Sequence, residues 1–595
     1  MLTTKYRTLV DALYAAPDDR RFVTAWIDED EEESVTFGEF RRRAQAQAAT
    51  LQEHGVEAGD RVILILPQGI PLMAAFAGAM LLGAAPAILA YPNFKVDPAK
   101  YRFGLVGVTA NLHAKAVVID LEFPDDLLEH VALTDEARIV PAAADDRQAT
   151  SFERPAIPVQ PDALAFIQHS AGTTGLQKGV ALTHAAVLRH LEHLSSVLAI
   201  DERRDCVYSW LPLYHDMGLI ACFMLPMVCH LAVIMQSPLD WVMRPETMLQ
   251  VFTQHRCTLA WLPNFAFQFV PRRTAKERWP QYDMSSARLL VNCSEPVRMT
   301  SMNEFYEAFA PRGLKRSALQ TSYAMAENVF AVTQSGIEDK HEPRLASKEG
   351  TRTLRQAQGG LWGTGTGPEV VWADGARFRS EHRIVPVAEA SIGAVPFTSS
   401  GRLLPNNEVR IVGDGGDLPE ASVGEIAIRS DSLFEGYYNR PDLTNKAIRE
   451  GWYYSGDLGF FLNGELYVVG RKKDLLIIGG ENIYPQDIEE IVCSHSAIHD
   501  GRAIALGVFN PELGTEDIVV VAEVEKKEDL REAERIDREL RAQVVANLGV
   551  AVRTIFLKPP KWIVKSTAGK PARSTTREKL LREHPELAPA NEKGG

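Results

Sequence analysis

At 595 residues the chain is too long for one ordinary hydrophobic core and calls for several packed units. Its 46% hydrophobic and 24% charged residues are the composition of a soluble globular protein, and the net charge of −14 is spread without a basic block, which argues against nucleic-acid binding and membrane insertion. The six cysteines (Cys206, Cys222, Cys229, Cys257, Cys293, Cys493) show no CxxC spacing, so reduced thiols in a cytoplasmic protein are expected and metal cages are not.

The N-terminal stretch MLTTKYRTLVDALYAAPDDRRF has no apolar core of a leader, and no export is expected. VTFGEFRRRAQAQAATLQEHG then reads as an amphipathic helix ended by Gly55, followed by the strand DRVILILP. The uncharged run Val62 to Phe94 is cut by Pro67, Gly69, Pro71, Gly83 and Pro86 into strand VILILP, helix PLMAAFAGAMLL and strand AAPAIL. Such a helix of about 12 residues spans roughly 18 Å, short of a bilayer core. A second uncharged run, Gly218 to Met235, is expected to break at Pro226 and to end in the buried strand LAVIM. Strands and helices alternate in this way from about Thr36 to Gln334, which predicts an α/β protein of mostly parallel sheets covered by helices.

Within that region HSAGTTGLQKG, His169 to Gly179, resembles a phosphate loop. A Walker loop needs glycine before its lysine and a helix directly after it, whereas here Gln177 precedes Lys178 and the β-type run VALTH follows. With ALAFIQ before it, the loop joins two strands, and Thr183 is the expected N-cap of HAAVLRHLEHLSSVL. Hydroxyls and consecutive N–H groups of such a turn can still bind polyphosphate, although the same composition also suits a plain polar turn. His184, His190 and His193 on the following helix lack carboxylates at zinc-protease spacing and read as a solvated face. Further on, GTGTG at Gly363 to Gly367 has no βαβ frame for a dinucleotide. From Gly470 to Asp474 the texture changes, and a compact α+β segment is expected to run to about Leu580 before a frayed tail.

The loop is followed, in order, by LPLYHDMGLI (Leu211–Ile220), NCSEPV (Asn292–Val297), SYAMAEN (Ser322–Asn328), YSGDLG (Tyr454–Gly459), GRKKDLLIIGGENIYPQDIE from Gly470, and VKSTAGKPAR (Val564–Arg573). This series resembles the adenylate-forming superfamily, and the wording of LPLYHDMGLI, WLPNFAF and NIYPQDIE is most similar to its fatty acyl-AMP ligase branch. The resemblance implies a large N-terminal adenylate-forming domain of stacked α/β subdomains over residues 1–470, a hinge at 471–474, and a small mobile α+β domain over 475–595.

It also implies roles. Ser170, Thr173, Thr174, Gly175 and Lys178 would cradle the β- and γ-phosphates of ATP, with Ser294, Glu295, Ala324 and Met325 in the nucleotide site. Tyr323 would pack on adenine and Glu327 would help hold Mg²⁺; Ala326 stands where many members have threonine, as is common in this branch. Asp457 and Arg471 would hold the ribose hydroxyls, a task that suits a carboxylate accepting two hydrogen bonds. Lys570 would be the mobile catalytic lysine, with Lys565 as the alternative, since Ala568 and Pro571 depart from the usual serine and aliphatic residue. Lys473 would be the hinge, and His215 either lines the path from acyl pocket to nucleotide or is a buried structural histidine.

The implied substrate is a fatty or other hydrophobic carboxylic acid, in keeping with the apolar ACFMLPMV and WLPNFAFQFV. Between Glu327 and SSGRLLP the chain runs longer than a connection needs, and residues 337–398 can hold the insertion that, in this branch, accompanies transfer to an acyl carrier protein rather than to coenzyme A. An acyl-CoA synthetase and an inactive nucleotide-binding homologue are the alternatives.

Overall fold

Seven strands form the largest sheet, in the order Leu319–Ser322, Leu289–Cys293, Leu259–Leu262, Cys206–Ser209, Ala232–Met235, Arg21–Trp26 and Glu32–Thr36. All neighbours are parallel except the last pair. LAWL at Leu259–Leu262 is buried at every position, as a strand covered on both faces must be. The computed structural model describes residues 2–92, 98–133, 137–142, 159–169, 178–336, 367–478, 481–510, 515–565 and 571–587.

The first expected helix is Phe37–Glu53. Thr36 closes the edge strand and caps this helix, its hydroxyl accepting from Glu39 N at 3.2 Å while its own N–H donates to the Glu39 carboxylate at 2.8 Å. The first uncharged run folds as the prolines and glycines predict, into strand Arg61–Ile65, helix Ile70–Leu81 and strand Ala85–Ile88. Those strands join Ala116–Ile119 and Arg138–Pro141 in a parallel four-stranded sheet. Every residue of helix Ile70–Leu81 but Pro71 is buried. It packs so closely on Phe37–Glu53 that a Cβ at Gly78 would lie 2.6 Å from the Ala44 carbonyl oxygen. No helix among the described residues is long and apolar enough to cross a membrane.

The second run differs from expectation. Helix Met217–Met224 has π geometry and passes into α-helix Leu225–Cys229 with Pro226 in its first turn, so the chain does not break there. Leu225 N donates to Ile220 O across a five-residue turn, which is wide enough to accept the ring and the missing N–H of Pro226. The helix stops instead at His230, at φ 55°, and the buried strand Ala232–Met235 follows.

Strands Leu164–His169 and Gly179–Thr183 form the expected hairpin, antiparallel with His169 opposite Gly179. Thr183 caps helix His184–Val197, accepting from Ala186 N at 3.2 Å. The solvated-face reading of this helix's histidines fails for two of three, because His184 and His190 lie on its buried side. His184 Nδ1 accepts from Leu9 N at 3.4 Å and His190 Nε2 from Ala331 N at 3.2 Å. Burial lowers both rings, to about 4 and about 3, so both are neutral core acceptors.

A third, antiparallel sheet holds Asn407–Gly413, Gly424–Ser430, Trp452–Leu462 and Glu465–Arg471. Within the 337–398 stretch, Val370–Asp374 pairs with Ala394–Thr398, and helix Gly375–Glu381 sits between them, capped by Asp374. Residues 337–366, which include most of GTGTG, lie outside the described residues. After the turn Lys472–Asp474 come helices Pro485–Cys493 and Ala533–Leu548 and the sheet Ile498–Asn510, Thr515–Val524, Val552–Lys558. These build hydrophobic cores of their own. They meet the earlier chain through Arg272–Asp500 at 2.7 Å, Arg298–Glu490 at 3.9 Å, and the stacked rings of Phe378 and Tyr484 at 4.8 Å.

Candidate active site

Parallel sheets present their strand carboxyl ends to ligands. Strand Leu319–Ser322 delivers Tyr323 at that edge, strand Leu289–Cys293 delivers Ser294, and strand Cys206–Ser209 leads by a short turn to His215 and Asp216. Ser294 takes φ 70°, rare for a residue with a side chain, and its hydroxyl lies 3.8 Å from Met217 Sδ, beside that turn. His215 Nδ1 lies 2.6 Å from Asp216 Oδ1, and the same carboxylate accepts from Met217 N at 2.8 Å to start the π-helix.

Two short chains of contacts organise the rest. In the first, the Tyr323 hydroxyl donates to Asp457 Oδ2 at 2.6 Å, and Asp457 Oδ1 lies 3.3 Å from Arg471 Nε. Asp457 and Arg471 are direct cross-strand partners of Trp452–Leu462 and Glu465–Arg471, which is why residues fourteen apart in sequence face one another. Burial raises the Asp457 carboxyl above the usual range, while Arg471 and the Tyr323 hydroxyl pull the other way. Tyr323 is itself pushed far up by burial and by Asp457, and so remains the donor.

In the second chain, Lys178 Nζ sits over the Tyr437 ring, 4.4 Å from its centroid, and the Tyr437 hydroxyl donates to Glu327 Oε1 at 2.7 Å. Glu327 lies in the 3₁₀ turn Ala326–Asn328. Ala324 bridges to Ala331, Met325 N donates to Phe330 O at 2.9 Å and Val332 N to Tyr323 O at 2.7 Å, so SYAMAEN forms a tight backbone loop. The chains are neighbours electrically. Lys473 has its ammonium lowered mainly by burial, then by Arg471, with Lys178 contributing, while Asp474 and then Asp457 oppose the shift.

The structure thus brings together Lys178, Tyr323, Glu327, Asp457, Arg471 and Lys473. Glu295 instead accepts from Phe265 N at 3.1 Å, near the start of helix Asn264–Arg273. Ser170, Thr173, Thr174, Gly175 and Lys570 lie outside the described residues. Among the described residues on either side of Lys570 in sequence, Lys565 forms a β-bridge with Pro571, and Arg573 contacts Glu489 and lies 3.9 Å from Asp474. Tyr437 is the residue that sequence reasoning missed. It sits in FEGYYNRP, where nothing but its strand pairing to Gly179–Thr183 marks it.

A single carboxylate is a poor cage for a cation, and no group of three His, Cys, Asp or Glu that could hold a metal occurs among the described residues. Mg²⁺ nonetheless fits here, because it keeps several waters and needs only one or two carboxylates when substrate phosphates supply the remainder. Glu327 has one oxygen on Tyr437 and a second to offer. A cavity of about 520 Å³ lies elsewhere, at the opposite, amino-terminal ends of these strands near Thr258, Ala287 and Ala318. Its Arg288 is committed to buried Asp205 and its Arg256 to Asp283.

The family model of AMP-binding enzymes matches residues 11–354. A 4-hydroxyphenylalkanoate adenylyltransferase of Mycobacterium tuberculosis is 28% identical over 92% of this chain and 86% of its own. The medium-chain-fatty-acid–[acyl-carrier-protein] ligase JamA of Moorena producens is 29% identical over 98% and 96%. Among solved structures, a fatty acyl-adenylate ligase from work on the Escherichia coli and Legionella pneumophila enzymes superposes with a TM-score of 0.84, at 26% identity and 98% coverage of both chains.

Proposed function

Because the chain belongs to the AMP-binding enzyme family, we propose that it activates a fatty or other hydrophobic carboxylic acid with ATP, forming acyl-AMP and pyrophosphate. The acyl group then passes to the phosphopantetheine thiol of an acyl carrier protein. The observation that carries the reading is the convergence of Tyr323–Asp457–Arg471 with Glu327–Tyr437–Lys178 at one end of the parallel sheet. Relatives named for adenylate formation and for ligation to a carrier protein support the substrate and acceptor classes.

In this reading Asp457 accepts the ribose hydroxyls, with Arg471 balancing its charge and Tyr323 fixing its orientation. Lys178 neutralises the departing pyrophosphate from the foot of the hairpin, where Ser170, Thr173, Thr174 and Gly175 would add hydroxyl and N–H donors. Glu327 would hold Mg²⁺, which when bound offsets charge on the phosphate oxygens. Lys570, on the domain beyond the Lys473 hinge, would reach the carboxylate and α-phosphate, and His215 would line the acyl path. Ser294 sits at the same strand edge, and Ala324 and Met325 shape the backbone beside the nucleotide. Residues 1–470 and 475–595 would move about 471–474, a gating step of ordinary kind. The insertion within 337–398 would restrict that movement, and the Phe378–Tyr484 stack supports this.

Pyrophosphate exchange with a panel of carboxylic acids tests the first half-reaction; exchange with none of them refutes it. Incubation of enzyme, ATP and an accepted acid with either coenzyme A or a holo carrier protein tests the second. Preferential formation of the coenzyme A thioester would make the protein an acyl-CoA synthetase.

A further inference from the structure

We propose that Tyr437 is a positioning residue that fixes the distance between the metal-holding carboxylate of Glu327 and the phosphate-binding ammonium of Lys178; the inference rests on the nucleotide reading above. One side chain touches both groups, the hydroxyl donating to Glu327 Oε1 at 2.7 Å and the ring facing Lys178 Nζ at 4.4 Å. That cation–ring distance lies within the attractive range.

The backbone around Tyr437 is built to hold it there. Gly436–Tyr437 joins the phosphate hairpin as a short third strand, with Gly436 opposite Ala181 and Tyr437 opposite Val180. Glu435 N donates to Ala181 O at 3.0 Å and Tyr438 N to Gly179 O at 2.7 Å, while Phe434 N donates to Glu327 O at 2.9 Å. This strap therefore bonds to both structures whose side chains Tyr437 bridges. Gly436 takes φ 143°, and a Cβ there would lie 2.9 Å from Thr444. The Thr444 hydroxyl in turn accepts from Tyr437 N at 2.9 Å. Phe434 meets the Tyr437 ring edge-on at 5.0 Å, which fixes its plane. A cation that bridges phosphate oxygens requires its carboxylate and the phosphates in fixed register, and this contact supplies it.

The two halves of Tyr437 separate by substitution. Tyr437→Phe keeps the ring under Lys178 and removes the donor to Glu327; Tyr437→Leu removes both. Binding of Mn²⁺, followed by electron paramagnetic resonance with a non-hydrolysable ATP analogue present, reads the carboxylate without turnover. Binding of pyrophosphate without metal, followed by calorimetry, reads the lysine. Tyr437→Phe is expected to weaken Mn²⁺ roughly tenfold, the worth of a hydrogen bond to a charged group, and to leave metal-free pyrophosphate binding unchanged. Tyr437→Leu is expected to weaken pyrophosphate as well, by roughly two- to fivefold. Wild-type Mn²⁺ affinity in Tyr437→Phe, or equal losses of both ligands in the two variants, overturns the inference while leaving the functional reading intact. A wild-type protein that binds no adenine nucleotide overturns both.

Discussion

In the proposed role Asp457 carries opposing demands: to accept two ribose hydroxyls it would have to be ionised, yet burial raises its carboxyl above the usual range. Nucleotide affinity should therefore fall as pH drops through that raised value, at a pH where an exposed carboxylate would still be charged. Asp457→Asn should weaken ATP by roughly 10- to 100-fold, as loss of charged hydrogen bonds does, and should abolish that acidic limb when affinity is titrated from pH 8 to 5. An unchanged limb would assign it to another group. Tyr323, Asp457 and Arg471 could be singled out because each sits inside one of the short motifs of the ordered series, and the structure brings the three side chains together. Tyr437 could not, because its place depends on a strand pairing to Val180, far away in sequence, which no local pattern encodes.

Prolines and glycines mark element boundaries in the first uncharged run, where the sequence reading and the structure agree on strand, helix and strand. They failed at Pro226, because a proline breaks a helix through its i−4 neighbour and the π turn has moved that neighbour away. Gly78 illustrates the opposite case, a helical glycine required by packing: Gly78→Ala should destabilise by about 1–3 kcal/mol, read as a lowered melting temperature, since the Ala44 backbone cannot retreat like a side chain. The buried histidines of helix His184–Val197 were misread because polar residues were assigned to solvent, whereas each accepts a backbone N–H. Their folded-state values, about 4 and about 3, lie below the ordinary 6.5, so the unfolded chain binds more protons between them. Their stability contribution is present above pH 6.5 and is lost as pH falls towards those lower values. His190→Leu leaves Ala331 N without its acceptor and should cost about 1–3 kcal/mol at pH 7, with a shallower acid decline in urea titrations.

Across the whole molecule, hydrophobic cores separate from those of the earlier chain begin near Leu476, shortly after the change of texture at Gly470. What joins those residues to the earlier chain was not readable, since Arg272–Asp500 and Phe378–Tyr484 join residues from unrelated motifs. At that junction Asp487 is raised to about 7, by burial first and then by Glu490 and Glu489, against Arg379 and Arg298. The sign is opposite to that of the histidines: the folded state binds the extra proton, so this contribution is full below the ordinary 3.8 and is lost as pH rises through 7. Asp487→Asn should flatten that decline between pH 5 and 8; a variant with the wild-type profile would place the titration elsewhere. The strap at residues 434–438 and the Asp457–Arg471 pair also set a timetable. A ribosome extending the chain at roughly 5–20 residues per second exposes the Leu164–Thr183 hairpin long before the strand that pairs with it and the arginine that partners Asp457. A nucleotide can engage the complete set of contacts only after Arg471 has been made, so any stabilisation of the fold by bound ATP comes late in synthesis.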